Sequence, residues 1–198
     1  MIRTRFLLAA ALALGLAACA SEPARYYTLL APAPAEAGTA SPAPFNFELM
    51  PVGIPAQVDQ PQLVIRQGGQ GVAPLSGQRW IAPLADEVRA ALSADLAKAL
   101  HAQDATGLPS GGKPRLRIKV DLRRFDSAPG DYALVDAAWS VRQLQGDAML
   151  ACTSQFREPV GAGYDALVEG HQRALARLAG AIAQVAGPVA AGQSPACP

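Results

Sequence analysis

A strictly alternating run set between two helical periods constrains this chain more than any other feature. Leu116, Ile118, Val120 and Leu122 alternate with Arg115, Arg117, Lys119 and Asp121, the pattern of a strand buried on one face and solvated on a basic other. Upstream, Ile81, Leu84, Val88, Leu92, Leu96 and Leu100 recur at three- and four-residue steps while Asp86, Arg89, Ser93 and Lys98 take other faces. This predicts an amphipathic helix with Pro83 in its first turn and an end near His101. Downstream, Tyr132–Leu144 and Met149–Phe156 flank the turn Gln145-Gly146-Asp147, and so short a connection favours an antiparallel meander. Tyr164, Leu167, Val168, Leu175, Leu178, Ile182 and Val185 form a last helical stripe, which carries His171 and is closed by Gly187-Pro188. Short strands are expected at Tyr26–Leu30, Phe45–Val52 and Gln62–Gln67, giving the order β-β-β-α-β-β-β-α. The expected fold class is α+β: a mainly antiparallel β-sheet with two long amphipathic helices packed on one face.

The N-terminus speaks to location. A basic Met1–Arg5, an apolar Phe6–Leu16 and small residues up to Ala18 make a signal peptide over residues 1–18, too short for a membrane-spanning helix. Leu16-Ala17-Ala18-Cys19 resembles the lipobox of bacterial lipoproteins, which implies that Cys19 is acylated and becomes the first mature residue. Several acyl chains make a stable anchor. Ala20, standing where an Asp would mark inner-membrane retention, implies by the same resemblance the outer membrane. The expected organisation is then a lipidated tether over 19–25, a single periplasmic domain over 26–187 and a tail over 188–198. Residues 31–44, rich in Pro and Ala, read as a flexible loop within that domain.

Charge and chemistry narrow the function. Removal of Arg3 and Arg5 with the signal peptide lowers the basic count from 17 to 15, against 16 acidic residues, so a general affinity for nucleic acid is not expected. The stretch Gly107–Pro114, GLPSGGKP, comes within one residue of a phosphate-binding loop. Pro114 replaces the required hydroxyl, and a strand rather than a helix follows. No G-x-S-x-G or H-E-x-x-H occurs, and two histidines supply a triad or a metal site poorly. No metal or other cofactor is expected, and the chain is read as a non-enzyme that binds or scaffolds. A hydrolase reading requires His101 or His171 in an open cleft beside Asp and Ser. Cys152 and Cys197 form a candidate disulfide pair in an oxidising compartment, with their geometry left open by the sequence. The row Arg115, Arg117, Lys119 and Arg123 is either a solvated sheet face or a surface for an acidic partner or anionic lipid headgroups. Tyr26, Tyr27, Phe45, Phe47 and Trp80 are candidates for core or interface.

Several short motifs in order carry a resemblance. Tyr26-Tyr-Thr-Leu29, Val52-Gly-Ile-Pro55, Val58-Asp-Gln-Pro-Gln-Leu-Val64, Arg79-Trp-Ile-Ala-Pro-Leu84 and Tyr164-Asp-Ala-Leu-Val168 leading into Ala174–Leu178 resemble the ABC-type transport auxiliary lipoproteins, the family of paraquat-inducible protein C. The resemblance implies an outer-membrane lipoprotein facing the periplasm. Its implied partners are an MCE-domain protein with an ABC permease and ATPase that move lipid between membranes, and self-association is implied as well. The implied role is docking or lipid hand-over. An envelope-assembly lipoprotein supporting an outer-membrane barrel is the alternative reading.

Overall fold

The computed structural model describes residues 23–32, 41–109 and 111–198. The signal peptide, Cys19, the first part of the tether and the centre of the Pro/Ala loop lie outside the described residues. Seven strands and two long helices follow one another: β1 (Arg25–Tyr27), β2 (Asn46–Leu49), a 3-10 turn (Ala56–Val58), β3 (Gln62–Arg66), β4 (Val72–Trp80), α1 (Leu84–Leu100), β5 (Arg115–Ala128), β6 (Tyr132–Gln143), β7 (Met149–Pro159) and α2 (Tyr164–Ala190). The fold class is α+β. The strands divide into a three-stranded sheet, β1-β4-β3, and a four-stranded sheet, β2-β5-β6-β7. Each sheet is mixed, because β1 lies parallel to β4 and β2 parallel to β5, whereas the β3–β4 hairpin and the β5–β6–β7 meander are antiparallel.

Strand β4 escapes a period-based reading. Its Val72-Ala-Pro-Leu-Ser-Gly-Gln-Arg-Trp80 contains Pro74 and Gly77, and most of its residues are only half-buried, so neither alternation nor composition announces a strand. Its pairing with β1 and β3 organises it instead. Ile81, expected on the buried stripe of the first helix, stands before that helix and is 61% exposed. The helix begins at Leu84, after Pro83, where the fixed proline φ suits a helix entrance and no N–H is needed. His101 ends it in the left-handed region, φ 49°. The last helix passes through the expected stop at Gly187-Pro188 and ends at Ala190. Pro188 forfeits one hydrogen bond in the final turn, while Val189 is fully buried and the Gln143 side-chain amide donates to the Ala190 carbonyl.

Helix α2 lies across β5, β6 and β7, with α1 beside it. The core between helices and sheet is built from Phe47, Leu49, Leu92, Leu96, Ile118, Val120, Leu175, Leu178 and Ile182, each essentially inaccessible. Gly170 permits the closest approach of α2: a Cβ there would overlap Val160 Cγ1 and lie 3.0 Å from the Ala133 Cβ. Gly170→Ala is expected to lower stability by about 1–3 kcal/mol despite its better helix propensity, because over-packing outweighs propensity in a filled core. Chemical denaturation checks this.

Cys152 on β7 and Cys197 in the tail are joined as a disulfide, with Cα atoms 5.8 Å apart. The bond closes a loop with a sequence separation of 45, and its removal in a Cys152→Ala/Cys197→Ala variant is expected to cost about 4 kcal/mol by the lost restraint on the unfolded chain. Thermal unfolding with and without a thiol reductant measures it in the unaltered protein.

Candidate functional site

Three of the short motifs quoted above, all within Tyr26–Leu84, meet at one corner of the three-stranded sheet, whereas Val52-Gly-Ile-Pro55 runs along β5 through Gly53. Strand β1 pairs Tyr26 with Arg79 and Tyr27 with Trp80. The Trp80 backbone N–H donates to the Pro61 carbonyl at 2.8 Å, and the Ile81 N–H donates to the Tyr27 carbonyl at 2.9 Å. Glu87, buried in the first turns of α1, accepts from the Thr28 hydroxyl at 2.7 Å and the Leu29 N–H at 2.8 Å. A carboxylate at that position also favours the positive end of the helix dipole. The Tyr-Thr-Leu segment is therefore latched to the start of α1, and Gln172 of α2 adds a bond to the Thr28 carbonyl.

The corner carries an apolar cleft of about 360 Å³ lined by Pro61, Trp80, Ile81, Pro83 and Leu84, with Asp59 and Gln60 at its edge. Trp80 is core, packed edge-on against Phe125 at 6.2 Å between ring centroids. Tyr27, Phe45 and Phe47 are core too, and Val58 of the 3-10 turn is buried. Tyr26, Leu30 and Ile81 remain exposed on these adjoining segments, at 58, 47 and 61%. Ile81 lines the cleft and Tyr26 and Leu30 stand on the segment paired to it, so the corner exposes three large apolar side chains, whereas singly scattered ones need no explanation.

The basic row is not the continuous surface expected from alternation. Arg115 is buried, at 6% exposure. Its guanidinium donates to Glu48 Oε1 at 2.7 Å and to the carbonyls of Leu108 and Pro109 in the loop before β5. These three acceptors hold the side chain inward. Arg117 pairs with the other Glu48 oxygen at 3.3 Å, Lys119 with Asp121 at 3.0 Å and Arg123 with Asp136 at 2.6 Å. Four cations thus face three carboxylates, and the strand projects little net field. The hydrogen bond from Arg115 holds the Glu48 carboxyl below its usual range. The same clamp explains the phosphate-loop lookalike: Gly107–Pro114 is a connection into a strand, pinned by Arg115 and by Lys113 Nζ donating to the Ala43 carbonyl at 3.2 Å.

A serine and a histidine do meet. Ser127 Oγ lies 2.8 Å from His171 Nε2, with the Phe125 ring stacked on the imidazole at 3.8 Å between centroids. The pair is buried, not set in an open cleft, and His171 is fully inaccessible. Burial pushes its pKa down to about 3, far from the range in which a general base works. Among the described residues no hydrogen-bond partner, and so no carboxylate, orients Nδ1 as such a base requires. His101, an exposed helix cap, joins no cluster. No group of three His, Cys, Asp or Glu side chains suited to a metal occurs among the described residues. No helix among them is long and apolar enough to cross a membrane.

Comparison with known proteins decides the family. The model of the ABC-type transport auxiliary lipoprotein component matches residues 27–183, which contain the latched corner from Tyr27 onward, α1, the meander and α2 as far as Ala183. The chain belongs to that family. Two solved structures share its fold. The crystal structure of an uncharacterized protein aligns with a TM-score of 0.65 at 16% identity, covering 82% of this chain and 98% of that one. A Xanthomonas campestris protein of the family DUF330 aligns with a TM-score of 0.59 at 14% identity, covering 84% and 95%. No curated protein matches the sequence.

Proposed function

We propose that this auxiliary lipoprotein is anchored through Cys19 in the outer membrane, faces the periplasm, and serves an intermembrane lipid transport system built from an MCE-domain protein and an ABC permease and ATPase. Its role is docking or lipid hand-over without catalysis. The observation that carries this reading is the meeting of three family motifs, Tyr26–Leu29, Val58–Val64 and Arg79–Leu84, at the corner that exposes Tyr26, Leu30 and Ile81. That corner stands next to the tether: Cys19 and Arg25 are six residues apart, a reach of about 20 Å in extended chain. An exposed tyrosine and two aliphatic side chains at that distance from an acyl anchor suit the membrane boundary and a partner arriving at it. Arg117, Lys119 and Arg123 serve as a secondary face toward acidic protein or headgroup charge. Their neighbouring carboxylates make that contribution modest and salt-sensitive.

The test is mild crosslinking of intact envelopes followed by purification through this lipoprotein. The MCE-domain protein is expected among the products, and a Tyr26→Asp/Ile81→Asp variant is expected to lose at least tenfold of it. Both positions are exposed, so their substitution changes stability by only about 0.5 kcal/mol each, which denaturation of the purified variant verifies. Recovery of no MCE-domain protein, or undiminished recovery with the double variant, contradicts the proposal.

A further inference from the structure

The four-stranded sheet is closed along one edge and open along the other. The outer edge of β2 is taken up by the segment after α1: Phe47 N–H donates to the Gln103 carbonyl at 3.1 Å, and Ala105 N–H donates to the Phe47 carbonyl at 2.7 Å. Strand β7, eleven residues long, is the opposite edge. Its register against β6 runs unbroken from Met149 to Pro159, so its backbone groups alternate without slip. The Ala148 carbonyl and the Val160 N–H, both at even positions, bond back toward the β6 side. The Ala151 carbonyl, 3.5 Å from Cys197 Sγ, and the Pro159 carbonyl, which accepts from Arg173 at 2.9 Å, face away. The odd positions therefore point their N–H and C=O groups outward. Between these two occupied ends, the outward groups of Thr153, Gln155 and Arg157 have no protein partner among the described residues.

Helix α2 turns this edge into a groove of about 630 Å³, lined by Thr153–Phe156 on the strand side, by Arg177, Gly180, Ala181 and Gln184 on the helix, and by Pro198 at its mouth. Gly180 leaves open space where a side chain would stand. The lining is half polar and too open for an acyl chain. Its strongest demand is for main-chain partners spaced about 6.8 Å apart, the two-residue repeat of a strand. The protein already lays chain along the neighbouring part of this edge, where the disulfide fastens the tail beside Ala151 and Cys152.

We infer that the outer edge of β7, with its groove against α2, receives an extended segment of a partner polypeptide by strand addition over Thr153–Arg157, and that the disulfide-held tail sets the end of that segment. An open edge of this length invites unspecific pairing unless something covers it, and strand addition is a general mode of peptide capture. The proposal concerns a surface separate from the Tyr26–Ile81 corner and does not depend on the partner's identity.

The experiment places a photo-reactive residue singly at Thr153, Gln155 and Arg157 of the full-length lipoprotein in intact envelopes and maps each adduct by mass spectrometry. The three positions are expected to label one segment of one partner polypeptide, at sites stepping by two residues. Gln155→Pro removes an outward donor while leaving the β6 ladder intact. Gly180→Leu fills the groove from the helix without touching the strand. Each variant is expected to cut labelling from Thr153 at least tenfold while melting close to the unaltered protein. If the proline variant does not fold, the helix variant decides. Adducts to lipid, to a second copy of this chain or to unrelated proteins without a two-residue step overturn the proposal, as do no adducts or labelling that survives Gly180→Leu. A registered strand from a polypeptide outside the MCE system supports strand addition and counts against the function proposed above.

Discussion

Arg115→Ala is expected to lower the unfolding free energy by about 3–5 kcal/mol, the cost of stripping one partner from a buried ion pair. The Arg115 side chain is 8% exposed and that of its partner Glu48 16%. Its removal strands a carboxylate and takes the donor from two loop carbonyls. Leu108 and Pro109 are exposed, so water can replace the guanidinium at their carbonyls and the cost falls mainly on the stranded Glu48 carboxylate. Arg117→Ala, by contrast, removes a half-exposed partner of the same carboxylate and is expected to cost about 1 kcal/mol or less. The contrast distinguishes a structural clamp from a charged surface, and denaturant unfolding of the two variants measures it. The clamp is also pH-dependent. Because Glu48 has a depressed folded pKa, its contribution is present above the ordinary carboxylate range and is lost as pH falls through the folded value.

His171 governs a second and larger pH effect. Its ordinary pKa of 6.5 falls to about 3 in the fold, chiefly because burial disfavours the imidazolium; nearby Asp126 opposes the shift. Asp126 is itself paired with Arg66 at 3.0 Å and with Arg124. The unfolded chain therefore binds a proton that the folded chain refuses. Stability is fully present above about pH 6.5 and is lost as pH falls toward 3, with a slope approaching about 1.4 kcal/mol per pH unit. His171→Gln keeps a hydrogen-bonding partner for Ser127 but cannot be protonated, so it is expected to flatten the slope between pH 6.5 and 5, above the range in which ordinary carboxylates titrate. Equal slopes for the two proteins over that window would show that the histidine is not the responsible group.

The meander and both helices were legible because each buries one face, and burial of one face writes its period into the residues: Leu116 to Leu122 by twos, Leu84 to Leu100 and Leu167 to Val185 by threes and fours. Strand β4 was not, since over Val72–Gly77 one side is exposed and the other only half-buried, and its identity as a strand comes from β1 and β3. Parallel pairing of β1 with β4 and of β2 with β5 was equally invisible, because period two reports a buried face and not the direction of a neighbour. Arg115 misled for a related reason. Alternation assigned it to the solvated face, but the loop carbonyls before β5 and Glu48 across from it pulled the guanidinium inward. At the candidate site, the order of the motifs was readable while their meeting place was not. Glu87, which ties Thr28 and Leu29 to α1, has nothing in the local sequence that reveals a partner nearly sixty residues away.

A single experiment decides whether the latched corner is the partner face: a photo-reactive residue at Ile81 in that corner and another at Lys119 on the paired basic strand, each in intact envelopes. An adduct between Ile81 and the MCE-domain protein is expected, with Lys119 giving at least tenfold less. An adduct from Lys119 and none from Ile81, or no MCE-domain adduct from either, would overturn the corner as the docking face.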